Sequence, residues 1–260
     1  MHYAGICSVC GAQLPEGTPA LFHVPTRTVR CVACAGRTDG NFWTPVDVGV
    51  AGSSAEREYQ RRAAERKSAL EEGYGNRLGS FLARVTDEPQ STRAWEKGAR
   101  GEQRLAEVLA SLPYVAVLND RAVVGTRGNI DHIVIGPAGV FVVDSKSYMG
   151  AIQVRDVGGW FRNDERLYVG RRDCTHLAEK MGWQVEAVEG LLDYLDCGAP
   201  VTPVLCFVGT DWPVFAPTSF RGVQLEEPRS LARLVTATGV LFPNQIDWLA
   251  RALASGFPAK

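Results

Sequence analysis

Two apolar stretches joined by a short turn constrain this chain most. Asn129-Ile130-Asp131-His132-Ile133-Val134-Ile135 and Val140-Phe141-Val142-Val143-Asp144-Ser145-Lys146 flank Gly136-Pro137-Ala138-Gly139. Glycine and proline between two β-branched runs mark a hairpin. Both strands are apolar at nearly every position, the pattern of strands covered on both faces. With residues 135 and 140 as the last pair, Asp131 lies opposite Asp144, and Lys146 shares the face of Asp144. Opposed side chains have β-carbons roughly 4.5–5.5 Å apart, and like charges there repel. Two carboxylates and a lysine so placed suit a divalent cation between them.

The turn allows a second register. Pro137 with Gly139 also fits a three-residue loop with a glycine bulge, which slips the pairing by one and turns Asp144 to the other face. A simpler reading of Asp144 and Lys146 is a plain ion pair at a strand end, because buried charges need partners. A third acid bears on the choice. Ser91 or Thr92 is a candidate N-cap for a helix running to about Leu112. Leu105, Leu109 and Leu112 make its apolar stripe, and Glu102 lies on that stripe one turn earlier. Gly98 and Gly101 flank Glu102 and suit close backbone approach. Glu102 also fits a stripe-edge position with its head in water.

Gly101-Glu102, Asn129-Ile130-Asp131-His132 and Gly139 to Lys146, in that order, resemble the nuclease-related domain (NERD) family. That family is a branch of the restriction-endonuclease-like, PD-(D/E)xK, superfamily. The resemblance runs from about Asp87 to Leu192 and includes Pro89 to Trp95 and Gln184-Val185-Glu186. Many relatives carry Glu where this chain has Asp144, and the shorter arm brings a metal nearer the strand. The resemblance implies a mixed central sheet flanked by helices and a metal-dependent nuclease. Magnesium (or manganese) at Asp131 and Asp144 would neutralise charge on the phosphate oxygens. Lys146 would orient or help deprotonate the attacking water, and Glu102 would hold a water or a second ion. The Ser145 carbonyl is a further ligand by implication of the fold, and Gln184 faces the site by resemblance alone. The alternative is a non-catalytic nucleic-acid- or protein-binding module on the same fold.

The N-terminus carries a second pattern. Cys7-x-x-Cys10 and Cys31-x-x-Cys34 have the spacing of a four-cysteine structural zinc site. A segment this short has too little core without a metal staple. The other cysteines, Cys174, Cys197 and Cys206, are scattered. With no leader peptide in view, disulfides are not expected and the cytoplasm is the expected setting.

Charge and hydropathy set limits. The 260-residue chain has a formal net charge of -1, so any attraction to nucleic acid must come from a local patch. No apolar run approaches the ~20 residues of a membrane span. The expected architecture is α/β in three parts. Residues 1–48 form a zinc-ribbon-like module. Residues 49–90 form a charged, solvated helical connector with Glu58 four residues before Arg62. Residues 91–260 form the nuclease-related domain. Within it we expect a polar hairpin through Trp160 and Tyr168, a helix from about Thr175 to Leu195, a strand from Val201 to Val208, and amphipathic segments at 228–236 and 244–254. The expected partner is nucleic acid, DNA ahead of RNA, and the zinc module offers a surface for a protein partner.

Overall fold

The structure, a computed structural model, describes residues 4–7, 11–23, 28–32, 46–74, 90–126, 128–159 and 163–260. They fall into two compact units, Met1–Val46 and Asp47–Lys260.

The first unit holds two antiparallel ribbons. β1 (Gly5–Ile6) pairs with β2 (Gln13–Leu14), and β3 (Ala20–His23) pairs with β4 (Thr28–Cys31). Gly11, at φ +71°, closes the first ribbon by donating its N–H to the Cys7 carbonyl at 2.9 Å. Cys7 and Leu14 are buried, and Ala20, Val29 and Cys31 pack on them.

The second unit opens with α1 (Ser53–Tyr74) and α2 (Gln90–Ala110). Then come β5 (Ala116–Ala122), β6 (Asn129–Gly136), β7 (Gly139–Lys146), β8 (Ile152–Asp156), β9 (Glu165–Val169), β10 (Arg172–Asp173) and α3 (Thr175–Tyr194). The chain ends through β11 (Val201–Phe207), β12 (Ser219–Phe220), β13 (Val223–Glu226), α4 (Pro228–Thr236) and α5 (Pro243–Gly256). Among the described residues the central sheet has six strands in the order β12-β13-β11-β7-β6-β5. It is mixed: β7, β11 and β13 are mutually parallel, and β5–β6, β6–β7 and β12–β13 are antiparallel. The excursion between β7 and β11 carries a small antiparallel sheet, β10-β9-β8, and helix α3. This is the expected α/β fold with a mixed sheet flanked by helices.

Both faces of the sheet are covered, as the apolar strands require. Leu105 and Leu109 of α2 and Leu231 and Val235 of α4 pack on Val134, Phe141, Val143, Val204 and Cys206. The alternate residues Ile133, Ile135, Val140, Val142 and Leu205 are equally buried. Helix α3 lies against β7 and β11, and α5 against β5 and β6. The chain is already helical at Gln90, ahead of the expected cap, and helix α2 ends at Ala110, short of Leu112. Trp160 lies outside the described residues.

The charged helix α1 is held at its N-terminus within this unit. The Asp120 carboxylate accepts from Ser54 N at 2.6 Å, Ser54 Oγ at 2.8 Å and Asn129 Nδ2 at 2.9 Å, and also from Ser53 Oγ. An acid at the first turn of a helix satisfies orphan N–H groups and opposes the positive end of the helix dipole. Gly52, at φ +76°, lets the start of α1 settle on Ala99 of α2, where a β-carbon would come within 2.9 Å of the Ala99 carbonyl. Farther along, Glu58 accepts from Arg62 at 2.6 Å, four residues on, as the spacing suggested. Its two arginine partners, Arg61 first, hold the Glu58 carboxyl down at about 2.

Candidate nuclease site at the ends of the central strands

The hairpin takes the register that opposes the two aspartates. Ile135 pairs with Val140, and Gly136 with Gly139 one step beyond the expected last pair, around the two-residue turn Pro137-Ala138. The bulged alternative is excluded. Packing around the turn explains the register. A β-carbon on Gly136 would lie 2.3 Å from the Val235 carbonyl, and one on Gly139, at φ +137°, 2.7 Å from the Pro200 carbonyl. The Pro200 carbonyl also accepts Val140 N at 2.9 Å. A one-residue slip would break these seats and turn every side chain over.

Asp131 and Asp144 are the next positions beyond the His132–Val143 pair, at the open end of the ladder. Asp131 Oδ2 accepts the Ser145 N–H at 3.2 Å. The Lys146 ammonium donates to Asp144 Oδ1 and to the Ser145 carbonyl at 3.0 Å, and lies 3.7 Å from Asp131 Oδ2. Three oxygens from two strands thus converge on one cation. Burial opposes the charge on Lys146, but Asp144 and Asp131 outweigh it and hold the ammonium well above its ordinary pKa. Burial pushes the Asp144 carboxyl up to about 6 against the pull of Lys146, with Asp131 adding to the rise.

Glu102 joins from α2. Gly101 places the helix against the end of β7: a β-carbon there would meet Ser147 Cβ at 3.1 Å. Gly98 plays no such part, since among the described residues nothing stands within 4 Å of a β-carbon there. Burial pushes Glu102 up to about 9, and the negative charge of Asp131 adds to it. The same carboxyl feels Lys146, Asp120 and Asp144. Glu102 itself is half-buried. Two carboxylates stand within 4 Å of one ammonium, so the excess is negative.

Gln184 lies on the sheet-facing stripe of α3 with Met181 and Val188. Its Oε1 is buried and has no hydrogen-bond partner among the described residues. A stranded acceptor costs free energy unless something is donated to it. His132, on the opposite face of β6 from Asp131, is fully buried and its Nδ1 meets Asn119 Oδ1 at 2.8 Å. Burial holds its pKa down at about 4, so the ring is neutral. With Nδ1 protonated toward the Asn119 carbonyl, Nε2 is left as the atom without a partner.

Strand β5 carries no strand signal in its sequence. There Asn119, Asp120 and Arg121 are consecutive and all buried. Three polar residues between Leu118 and Ala122 were a visible anomaly, but their partners lie far away in sequence. The Arg121 guanidinium donates to the carbonyls of Phe257 at 2.6 Å, Asp47 at 2.8 Å and Ala254 at 3.0 Å.

In the first unit, the Cys31 N–H donates to Cys7 Sγ at 3.3 Å. The leading cysteines of the two pairs are therefore adjacent, while Cys10 and Cys34 lie outside the described residues. Among the described residues no group of three or more His, Cys, Asp or Glu side chains stands arranged for a metal ion. None of the helices is long and apolar enough to cross a membrane, among the described residues.

A mixed sheet with acids and a lysine at its strand ends is consistent with the restriction-endonuclease-like, PD-(D/E)xK fold. Residues 97–208 match the family model described as Nuclease-related domain (NERD). The matched segment contains Glu102, Asp131, Asp144, Lys146 and Gln184. No curated protein and no solved structure matches the chain.

Proposed function

We propose that the chain is a metal-dependent nuclease whose centre is formed by Glu102, Asp131, Asp144 and Lys146, with Gln184 facing it from α3. The observation that carries this reading is the convergence of Asp131 Oδ2, Asp144 Oδ1 and the Ser145 carbonyl on one positive group. An all-oxygen donor set with two carboxylates suits magnesium or manganese. Asp131 and Asp144 would hold the ion, and Glu102 would hold a water or a second ion beside them. When bound, such an ion offsets negative charge gathering on the phosphate oxygens. Lys146, released from Asp144, would orient or help deprotonate the attacking water. The amide of Gln184 would complete the wall of the site. DNA is the expected nucleic acid ahead of RNA, in the cytoplasm.

Zinc at Cys7, Cys10, Cys31 and Cys34 belongs to the same proposal as a structural site. The N–H bond from Cys31 to the Cys7 sulfur supports it, since such bonds steady metal-bound thiolates. A protein partner could then be met through this module. The bond between Lys146 and Asp144 also suits the second reading, a binding module whose lysine is a permanent counter-ion.

Labelled single- and double-stranded DNA and RNA, incubated with magnesium, manganese or EDTA, separate the two. The nuclease reading expects cleavage with metal and none in EDTA. Asp131→Asn and Asp144→Asn should abolish cleavage with the fold intact. Lys146→Ala should slow it by about 10²–10⁴-fold. No cleavage by wild type under any condition, together with unfolding of Lys146→Ala, would establish the binding module instead.

A further inference from the structure

Beyond Lys146 the chain builds a rim that the catalytic reading leaves unused. Tyr148 lies two residues past Lys146, within about 7 Å along the chain. The Tyr148 carbonyl accepts the Thr210 hydroxyl at 2.9 Å, and the Gly150 carbonyl accepts Asp211 N at 3.1 Å. The Asp211 carbonyl in turn accepts Ile152 N at 3.3 Å. The loop after β11 is thus laced to the segment after β7. The turn between β9 and β10 closes against the segment after β7, since a β-carbon on Gly150 would lie 2.8 Å from Gly170 Cα.

Two kinds of group stand on this rim. The first is apolar. Ala216 N donates to the Pro213 carbonyl at 2.9 Å, a tight turn with Val214 and Phe215 at its tip. They are 94% and 97% exposed, and Pro213 and Pro217 stiffen the loop on either side. Turn tips normally carry glycine or small polar residues. A phenylalanine held out in water contributes nothing to this fold.

The second kind is basic. The Arg172 guanidinium stacks over Tyr148 at 4.6 Å, and that of Arg155 over Tyr168 at 4.8 Å. Arg155 also donates to Gln153 Oε1 at 2.9 Å and to the Gly170 carbonyl at 3.4 Å. No carboxylate pairs with Arg155, Arg171 or Arg172 among the described residues. Among the nearby acids, Asp164 and Asp173 pair with Arg166, and Asp156 accepts from the N–H groups of Gly158 and Asp164. Stacking fixes each guanidinium plane; Arg155 directs Nε and one Nη to Gln153 and Gly170 and keeps its other Nη toward an anion, and Arg172 presents its N–H edge.

We propose that this rim binds a single strand of nucleic acid leading to the candidate site. Phosphates would lie on Arg155, Arg171 and Arg172, and an unpaired base would stack on Phe215. The proposal rests on the nuclease reading for its choice of ligand. Charge complementarity and continuity with the strand-end carboxylates favour that ligand over an apolar protein surface. Base stacking on an exposed aromatic and guanidinium contacts to the backbone are the usual means of holding a strand whose bases are free. A duplex hides those bases.

Fluorescence anisotropy in EDTA, with one labelled oligonucleotide offered as single strand and as duplex, tests it without cleavage. Phe215→Ala should weaken single-strand binding about tenfold and leave duplex binding unchanged. Replacing Arg155, Arg171 and Arg172 together with glutamine should lower the slope of log affinity against log salt by about 2. Single-strand binding that ignores Phe215→Ala, or duplex binding that falls equally, overturns the proposal. So does a wild-type chain that self-associates through Phe215 and binds no oligonucleotide. Cleavage assays run in parallel keep the two readings apart. Cleavage lost in Asp131→Asn with Phe215 inert sinks only the rim, and Phe215-dependent binding without cleavage sinks only the nuclease.

Discussion

Arg121 and Asp120 show how single buried charges organise this fold. Arg121 is 1% exposed, and its donors go to the carbonyls of Ala254 and Phe257 at the end of α5 and to that of Asp47. A guanidinium there meets the negative end of the helix dipole and fills carbonyls that would otherwise be orphaned. Burial lowers its pKa, a cost these contacts offset. Arg121→Met keeps the stem and strands three carbonyls, so it should cost about 3 kcal/mol in urea unfolding. Arg121→Lys should recover little, because one ammonium cannot span the same fork. His132 gives the pH counterpart. Its folded pKa of about 4 lies below the ordinary 6.5. The unfolded chain therefore takes up a proton that the folded chain refuses, and this contribution to stability is full above 6.5 and lost as pH falls toward 4. His132→Asn keeps a donor toward Asn119 and removes the titration. The stability gap between wild type and this variant should shrink by about 3 kcal/mol between pH 7 and 4. A gap that stays constant would mean that His132 is not buried neutral.

Elements whose partners are adjacent in sequence were legible from the sequence, and those with distant partners were not. The β6–β7 hairpin carries its own turn chemistry, so its strands could be placed directly. Choosing between the two registers needed Val235 and Pro200, which are remote. Helices α3 and α4 were delimited almost to the residue by apolar periodicity and, for α4, by Pro228 at its first position. Strand β5 was missed because its middle is Asn-Asp-Arg, an unpromising strand until its partners at Ser54, His132 and Phe257 are known. In the candidate site, Asp131, Asp144 and Lys146 could be brought together on paper through strand alternation. Glu102 was reached from the helix stripe and the family resemblance, while its seat depends on how α2 packs against Ser147 at Gly101. That seat gives a prediction at this scale. Gly101→Val would force α2 away from the end of β7, at about 1–3 kcal/mol by overpacking. Glu102 is the next residue. Cleavage, measured where circular dichroism shows the variant fully folded, should therefore fall well below wild type. Unchanged cleavage would separate Glu102 from the chemistry.

At the scale of the whole molecule, two units solve the problem of a stable interior differently. The unit from Asp47 to Lys260 covers both faces of a six-stranded sheet with helices, and hydrophobic burial of that extent supports a fold by itself. The described residues of the unit from Met1 to Val46 form two short ribbons around Cys7 and Leu14. So small a cluster is marginal in water, because two-stranded ribbons rarely stand alone. A metal held by four thiolates would supply the missing cross-link, and the approach of Cys31 N–H to the Cys7 sulfur is what that chemistry calls for. The expected outcome is about one zinc per chain by elemental analysis, with sulfur ligands at roughly 2.3 Å by X-ray absorption. Chelation at neutral pH should then unfold the N-terminal ribbons and leave the larger unit cooperative, so that thermal unfolding of the full chain keeps its main transition. Cys31→Ser should reproduce the effect of the chelator. Zinc-free protein that keeps protected amides across residues 5–31 in hydrogen exchange would show that the ribbons stand without metal. The paired cysteines would then need another explanation.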